Sequence, residues 1–161
     1  MLSSREKATR ATTVSPTEVL RNHKVIAVVG ASKNPEKDAH TVPSYMKQHG
    51  YEIIPVNPTT DQILGEKAYA SLLDLPRELA IKIEVVDVFR PSGELPQVAR
   101  QVVEMKMRYG RPLVFWAQLG LENEEAKRIL GENKIPYVMN ACMRTVHELG
   151  NWDGDLQHGL A

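Results

Sequence analysis

VIAVVGASKNP, residues 25–35, decides the fold. Five apolar residues run without alternation into Gly30. An unbroken run of this kind suits a parallel strand covered on both faces, whereas an alternating one would suit a half-exposed strand. The closing glycine lets the chain turn sharply or a ligand approach the backbone, and Asn34-Pro35 marks a turn. The stretch therefore reads as a central strand that opens into a ligand-facing loop.

Working outward, Ser15-Pro16 is an N-cap followed by proline at the first helical position, which opens a short helix PTEVLRNH. TVPSYMKQHG predicts a helix stopped at Gly50. YEIIPVNP is a second strand ended by Asn57-Pro58, and AYASLLDLP is a short helix leading to a third strand, IKIEVVDVF. Lys82 and Glu84 alternate with apolar residues there, which predicts an edge strand. Pro91-Ser92 opens the long helix ELPQVARQVVEMKMRYG; Val98, Val102, Met105 and Tyr109 recur at helical spacing toward the sheet, and Gly110 ends it. PLVFWAQLG is strand four, ENEEAKRILGENK a helix, PYVMN strand five and CMRTVHELG a closing helix. Strand and helix thus alternate. The expected class is α/β: a Rossmann-like, doubly wound, five-stranded parallel sheet with strand order 3-2-1-4-5. One domain, 15–150, is expected between a polar N-terminal tail, 1–14, and a C-terminal tail, 151–161.

Composition narrows the function. Twenty basic residues balance twenty acidic ones, so no global field favours nucleic acid or an anionic membrane. An aromatic share of 6% gives no stacking platform for single strands. The single cysteine, Cys142, excludes an intrachain disulfide and argues against a thiolate metal cage. No apolar run approaches the ~20 residues that span a bilayer. A reducing, cytoplasmic home is expected; the Ser/Thr-rich, basic start MLSSREKATRATTV gives a mitochondrial presequence as the alternative.

In a doubly wound sheet, ligands bind beyond the carboxyl ends of the strands. The residues there are Gly30, Ala31 and Ser32 after strand one, Asn57 and Pro58 after strand two, and Phe89 and Arg90 after strand three. Gln118 and Gly120 follow strand four, and Asn140 to Cys142 follow strand five. Arg90 can fork onto a phosphate, Ser32 offers a hydroxyl and backbone N–H groups, and Lys33 and Lys37 flank the first loop as point charges. A G-x-x-x-x-G-K-[ST] loop is absent. NAD(P) is the nearest rival, but no second glycine follows Gly30, and Asn57 stands where a ribose-binding acid is wanted.

VVGASKNPEKDAHTVPSYMKQHGYEIIPVNP, with ILGEKAYASLLDLP, VVDVFRPSGELPQVA, VFWAQLGLENEEA and IPYVMNACM, resembles the small CoA-binding proteins related to the N-terminal CoA-binding domain of the succinyl-CoA synthetase alpha subunit. The resemblance covers residues 24 to about 149. It implies a Rossmann-like fold that binds coenzyme A or an acyl-CoA at the strand ends. The phosphates would lie at Gly30, Ala31 and Ser32, with Lys37 as a nearby base. Phe89-Arg90 would lie beside the nucleotide, and Asn57-Pro58, Gln118 and Gly120 would complete the set. Val56, Pro58 and Phe89 are expected to line an apolar slot for adenine. Two departures stand out: Asp38-Ala39 replaces a Pro-Ser, and Asn140-Ala141 replaces an Asp-Arg. No match extends to a ligase's catalytic histidine domain, so a non-catalytic binding or regulatory protein is expected, with an unidentified protein partner. The alternative is an NAD(P)-binding oxidoreductase or redox sensor.

Overall fold

The computed structural model describes residues 14–150 and 152. Most of both expected tails, 1–13 and 151–161 apart from Trp152, therefore lies outside the described residues. The elements run α1 (Pro16–Asn22), β1 (Val25–Val29), α2 (Asp38–Gln48), β2 (Glu52–Val56), β3 (Gln62–Ile63), β4 (Glu66–Lys67), α3 (Arg77–Ala80), β5 (Val85–Val88), α4 (Leu95–Tyr109), β6 (Val114–Ala117), α5 (Glu124–Glu132), β7 (Tyr137–Val138) and α6 (Met143–Leu149). Short 3-10 turns, Leu72–Asp74 and Ser92–Glu94, precede α3 and α4.

Five strands form one parallel sheet in the order β2-β1-β5-β6-β7. The Rossmann-like, doubly wound α/β class is the one expected. The order is not 3-2-1-4-5: counted along these five strands it is 2-1-3-4-5, because β5, the third, pairs directly with β1. The edge position predicted for that strand came from Lys82 and Glu84, and both precede it. All four residues of β5 itself are buried. Glu84 instead caps the bottom of the sheet, where its Oε1 accepts the N–H groups of Lys24 and Val25 at 3.0 and 3.3 Å.

Strand alternation sorts the core into two layers. Ala27, Val29, Val86, Val88, Phe115 and Ala117 face α4, α5 and the Leu72–Ile83 connection. Ile26, Val28, Val85 and Trp116 face α1, α2 and α6. The connection from β2 to β5 crosses β1, so the winding direction reverses between β1 and β5 and leaves a crevice at their carboxyl ends.

Local signals behave as read at several ends. Ser15 Oγ accepts Glu18 N–H at 3.4 Å with Pro16 at the helix start, and Gly110 (φ +73°) closes α4 by donating to Lys106 O. The small β3–β4 hairpin was not anticipated; its two-residue turn is Leu64-Gly65, both with positive φ. Helix α2 begins six residues after Ser32 and carries Pro43 inside it. Among the described residues no helix is long and apolar enough to cross a membrane.

Candidate functional site

A cleft of about 450 Å³ opens where β1, β2 and β5 end. Val29 and Gly30 form its floor, and Val56, Asn57, Pro58 and Thr59 one wall. Ala70, Ser71 and Leu72 extend that wall, carried there because Tyr69 bridges to Val56 in parallel. The opposite wall is Arg90, Glu94 and the first turns of α4, with Gln97, Val98 and Gln101.

Gly30 must be glycine. Its φ is +86°, a region that other residues enter only at a cost. A Cβ there would sit 2.9 Å from Arg90 Cδ and 3.1 Å from Phe89 O. The backbone is flat against β5 for that reason, and the Arg90 stem crosses it. Gly30 N–H is itself engaged, donating to Val56 O at 2.9 Å.

The loop that follows is held from α2. Pro43 has no N–H to give to Ala39, four residues back. The carbonyl it leaves unclaimed within the helix accepts Ser32 N–H at 3.0 Å. His40 Nδ1 lies 2.7 Å from Ser32 O, and since a carbonyl only accepts, that ring nitrogen carries the proton. Ser32 Oγ accepts from Asn34 N at 3.0 Å, and Asn34 Oδ1 from Glu36 N at 3.0 Å. The backbone N–H of Ser32, expected to meet phosphate, is therefore occupied; only its hydroxyl proton is left to offer. The N–H groups of Ala31 and Lys33 donate to no other described residue. The first N–H groups of α2 lack intrahelical acceptors, as at any helix start. Lys33 and Lys37 are exposed on this loop and do not line the cleft.

The expected site residues divide into two groups. Gly30, Val56, Asn57, Pro58 and Arg90 come together in the cleft. Asn57 is also a brace: its Nδ2 donates to Ala31 O, and its Oδ1 accepts both Thr59 N–H and Thr59 Oγ1–H, all at 2.7 Å. The others lie elsewhere. Ala31 is buried, and Phe89 packs beside it in the layer of α1, α2 and α6, across the sheet from the cleft. Phe89 does not line the slot because residues 88 and 89 point to opposite faces of an extended chain.

Gln118 is 4% exposed, and both ends of its amide are engaged. Met143 N–H donates to Gln118 Oε1 at 3.1 Å, so the NH2 end faces Asp87 and donates to Oδ1 at 2.5 Å. Asp87 is 1% exposed. Burial pushes its carboxyl up to about 7, while the N–H donors of Gln118 and Val88 pull the other way. Gly120 (φ +84°) donates to Asn140 Oδ1 at 2.7 Å. The β6–β7 end of the carboxyl edge is thus closed by its own side chains.

Sequence reasoning missed Ser71, Gln97 and Gln101. Ser71 depends on the Tyr69 bridge, which no short-range pattern announces. The glutamines were legible in principle, since Gln97 and Gln101 are one turn apart beside the core-facing Val98.

A model of a CoA-binding domain matches residues 24–148. The chain belongs to this CoA-binding domain family. It is 45% identical over 130 residues to the uncharacterized protein YneT of Bacillus subtilis, covering 81% of this chain and 90% of that one. It is also 38% identical over 151 residues to the ADP-forming acetate–CoA ligase II subunit alpha of Pyrococcus furiosus, covering 81% of this chain. It spans only 32% of that subunit. Among solved structures, a hypothetical protein from Pyrococcus horikoshii superimposes with a TM-score of 0.74 at 34% identity, covering 92% of this chain and 97% of that one. Cell-free ID.343 from Thermus thermophilus gives 0.73 at 35%, covering 84% and 98%.

Proposed function

We propose that this protein binds coenzyme A or an acyl-CoA in the β1–β2–β5 cleft, as a binding or regulatory protein rather than a catalyst. One observation carries the reading: the cleft lies at the switch point of the sheet, with half-buried Gly30 on its floor and Arg90 beside it on the wall. Its volume falls within the range of small-molecule sites, about 300–1,000 Å³. Val56, Pro58, Leu72 and Val98 supply apolar surface for adenine, and Ser71, Gln97 and Gln101 supply hydrogen bonds for base and ribose. The phosphates would sit over Gly30, between Arg90 and the amides of Ala31, Lys33 and the start of α2, with Lys33 and Lys37 adding charge from outside. Gln118 and Gly120 enter this reading as supports for the carboxyl edge rather than as contacts.

The family supports coenzyme A over NAD(P). So does the end of β2, where an acid would hold a ribose in a dinucleotide site. Asn57 stands there with its amide already engaged. Among the described residues no group of three or more His, Cys, Asp or Glu is placed to hold a metal. Cys142 is half-buried ahead of α6. Isothermal titration with CoA, dephospho-CoA, NAD and ATP tests the proposal. CoA should bind more tightly than NAD or ATP; NAD binding without CoA binding would overturn it. Protein recovered with and without CoA in partner pull-downs separates a switch from a passive carrier.

A further inference from the structure

We propose that Glu94 is a built-in competitor for Arg90, so that ligand entry requires Arg90 to exchange a carboxylate of its own chain for a phosphate. This rests on the coenzyme reading above and adds a determinant of affinity within the same cleft. Arg90 Nη2 donates to both carboxylate oxygens of Glu94 at 3.1 Å. The Arg90 stem is laid across Gly30, where its Cδ fills the space a Cβ would need. That contact fixes the stem and leaves the guanidinium free to turn toward the glycine loop. Glu94 ends the 3-10 turn that leads into α4, so it is held by the scaffold one helical turn from Arg90.

Charge in the cleft supports the exchange. Among the described residues Arg90 and Glu94 are the only charged ones that line it, so this lining carries no net charge. Lys33 and Lys37 stand outside the lining. The two side chains of the pair are 47% and 42% exposed, which keeps their attraction weak and solvent-screened. A weak pair can be displaced. The pair with Glu94 is made through one nitrogen, Nη2, whereas a phosphate can take two guanidinium N–H groups in a parallel fork, and the CoA diphosphate carries two negative charges against the one of Glu94. The exchange leaves Glu94 unpaired on the wall of a cleft that now holds an anion, so the carboxylate lowers affinity both by holding Arg90 and by remaining beside the ligand.

A double-mutant cycle separates these contributions. Wild type, Glu94→Gln, Arg90→Ala and the double variant are titrated calorimetrically with CoA at one ionic strength. Glu94→Gln keeps the shape and half-exposed position of the side chain, so the fold is retained. It should tighten CoA binding about two- to fivefold, the span expected from a solvent-exposed ion pair. Arg90→Ala should weaken binding, and in that background Glu94→Gln should bring a clearly smaller gain, the part due to relieved repulsion alone. An unchanged or weaker Glu94→Gln overturns the competitor role. An equal gain with and without Arg90 also overturns it, leaving Glu94 as a repelling charge alone. CoA binding by none of the four proteins would overturn the proposed function and this inference with it, whereas wild-type binding with a flat cycle overturns only the inference.

Discussion

The carboxyl edge of the sheet has two halves built from the same kinds of residue and finished in opposite ways. At β1, β2 and β5 the strand ends leave a cleft, and the Arg90–Glu94 ion pair on its wall is half exposed. At β6 and β7 the space is closed by Gln118, which joins buried Asp87 to the first amide of α6, while Asn140 takes the amide of Gly120. Trp116 Nε1 adds a bond to Ala141 O at 2.9 Å. Polar residues at strand ends therefore do not by themselves mark a ligand site. What distinguishes the open half is that its charged pair, Arg90 and Glu94, is half exposed on the wall of a cleft, whereas the Gln118–Asp87 pair of the closed half is buried. A buried, fully paired network rigidifies; it does not recognise.

The sharpest way to break the contrast is to fill the open half. Gly30→Val forces a β-branched residue to φ +86° and presses its Cβ on Arg90 and on the carbonyl of Phe89. Destabilisation of roughly 2–4 kcal/mol is expected, from left-handed strain plus overpacking. CoA binding should be lost even at temperatures where the protein stays folded, as read by thermal melts and calorimetry together. Retained affinity would show that the loop does not receive the phosphates. Gln118→Leu probes the closed half. It leaves Met143 N–H without its side-chain acceptor and the Asp87 carboxyl with only the Val88 N–H, at a cost of about 1–3 kcal/mol in urea unfolding. CoA affinity should change far less than in Gly30→Val. A loss of binding comparable to that of Gly30→Val would place Gln118 at the ligand after all.

The closed half also carries a pH signature. The folded-state carboxyl of Asp87 lies near 7, above its ordinary value of 3.8, so between those values the folded protein holds a proton that the unfolded chain has released. That stabilisation is complete below about pH 3.8 and is lost as pH rises through about 7. His147 works in the opposite sense: burial, with the charges of His49 and Lys24, lowers its pKa, so its contribution grows as pH rises. Comparing wild type with Asp87→Asn cancels the histidine. The stability of wild type relative to the variant should fall from pH 5 to pH 7.5, with a slope of at most about 1.4 kcal/mol per pH unit. A flat difference would mean that Asp87 is ionised throughout.

Much of this was legible in the sequence, for physical reasons that also explain the misses. VIAVVG identified the central strand because burial on both faces removes alternation, and the caps at Ser15 and Gly110 are local chemistry. Gly30 and Arg90 were singled out not one by one but as members of a set of strand-end residues that the alternation of strand and helix brings to one edge of the sheet. Strand order was misread because Lys82 and Glu84 belong to the approach to β5, and a boundary shifted by two residues turns a central strand into an apparent edge. Phe89 and Gln118 were assigned to the site by position along the chain. Which face a residue takes after a strand ends, and whether its side chain is engaged from a helix 25 residues later, are properties of tertiary packing.

The smallest expected effect tests how the open half is kept open. Pro43 stands inside α2 at a position where most residues would bond back to Ala39, and Ser32 takes that carbonyl instead. Pro43→Ala restores an N–H in the helix. A carbonyl has two lone pairs, so the Ser32 tether is weakened rather than removed, and the His40 contact to Ser32 O remains. The helix should be as stable as before or more so, since alanine is the better helix former. The loop should loosen: Ser32 amide exchange should quicken, and CoA affinity should fall about twofold, a fraction of the ~1 kcal/mol net worth of one hydrogen bond. Faster exchange and weaker binding in a protein that melts no earlier would separate loop preorganisation from stability. Unchanged exchange at Ser32 would show that the proline only shapes the helix, and that the loop holds its form from Gly30 and His40 alone.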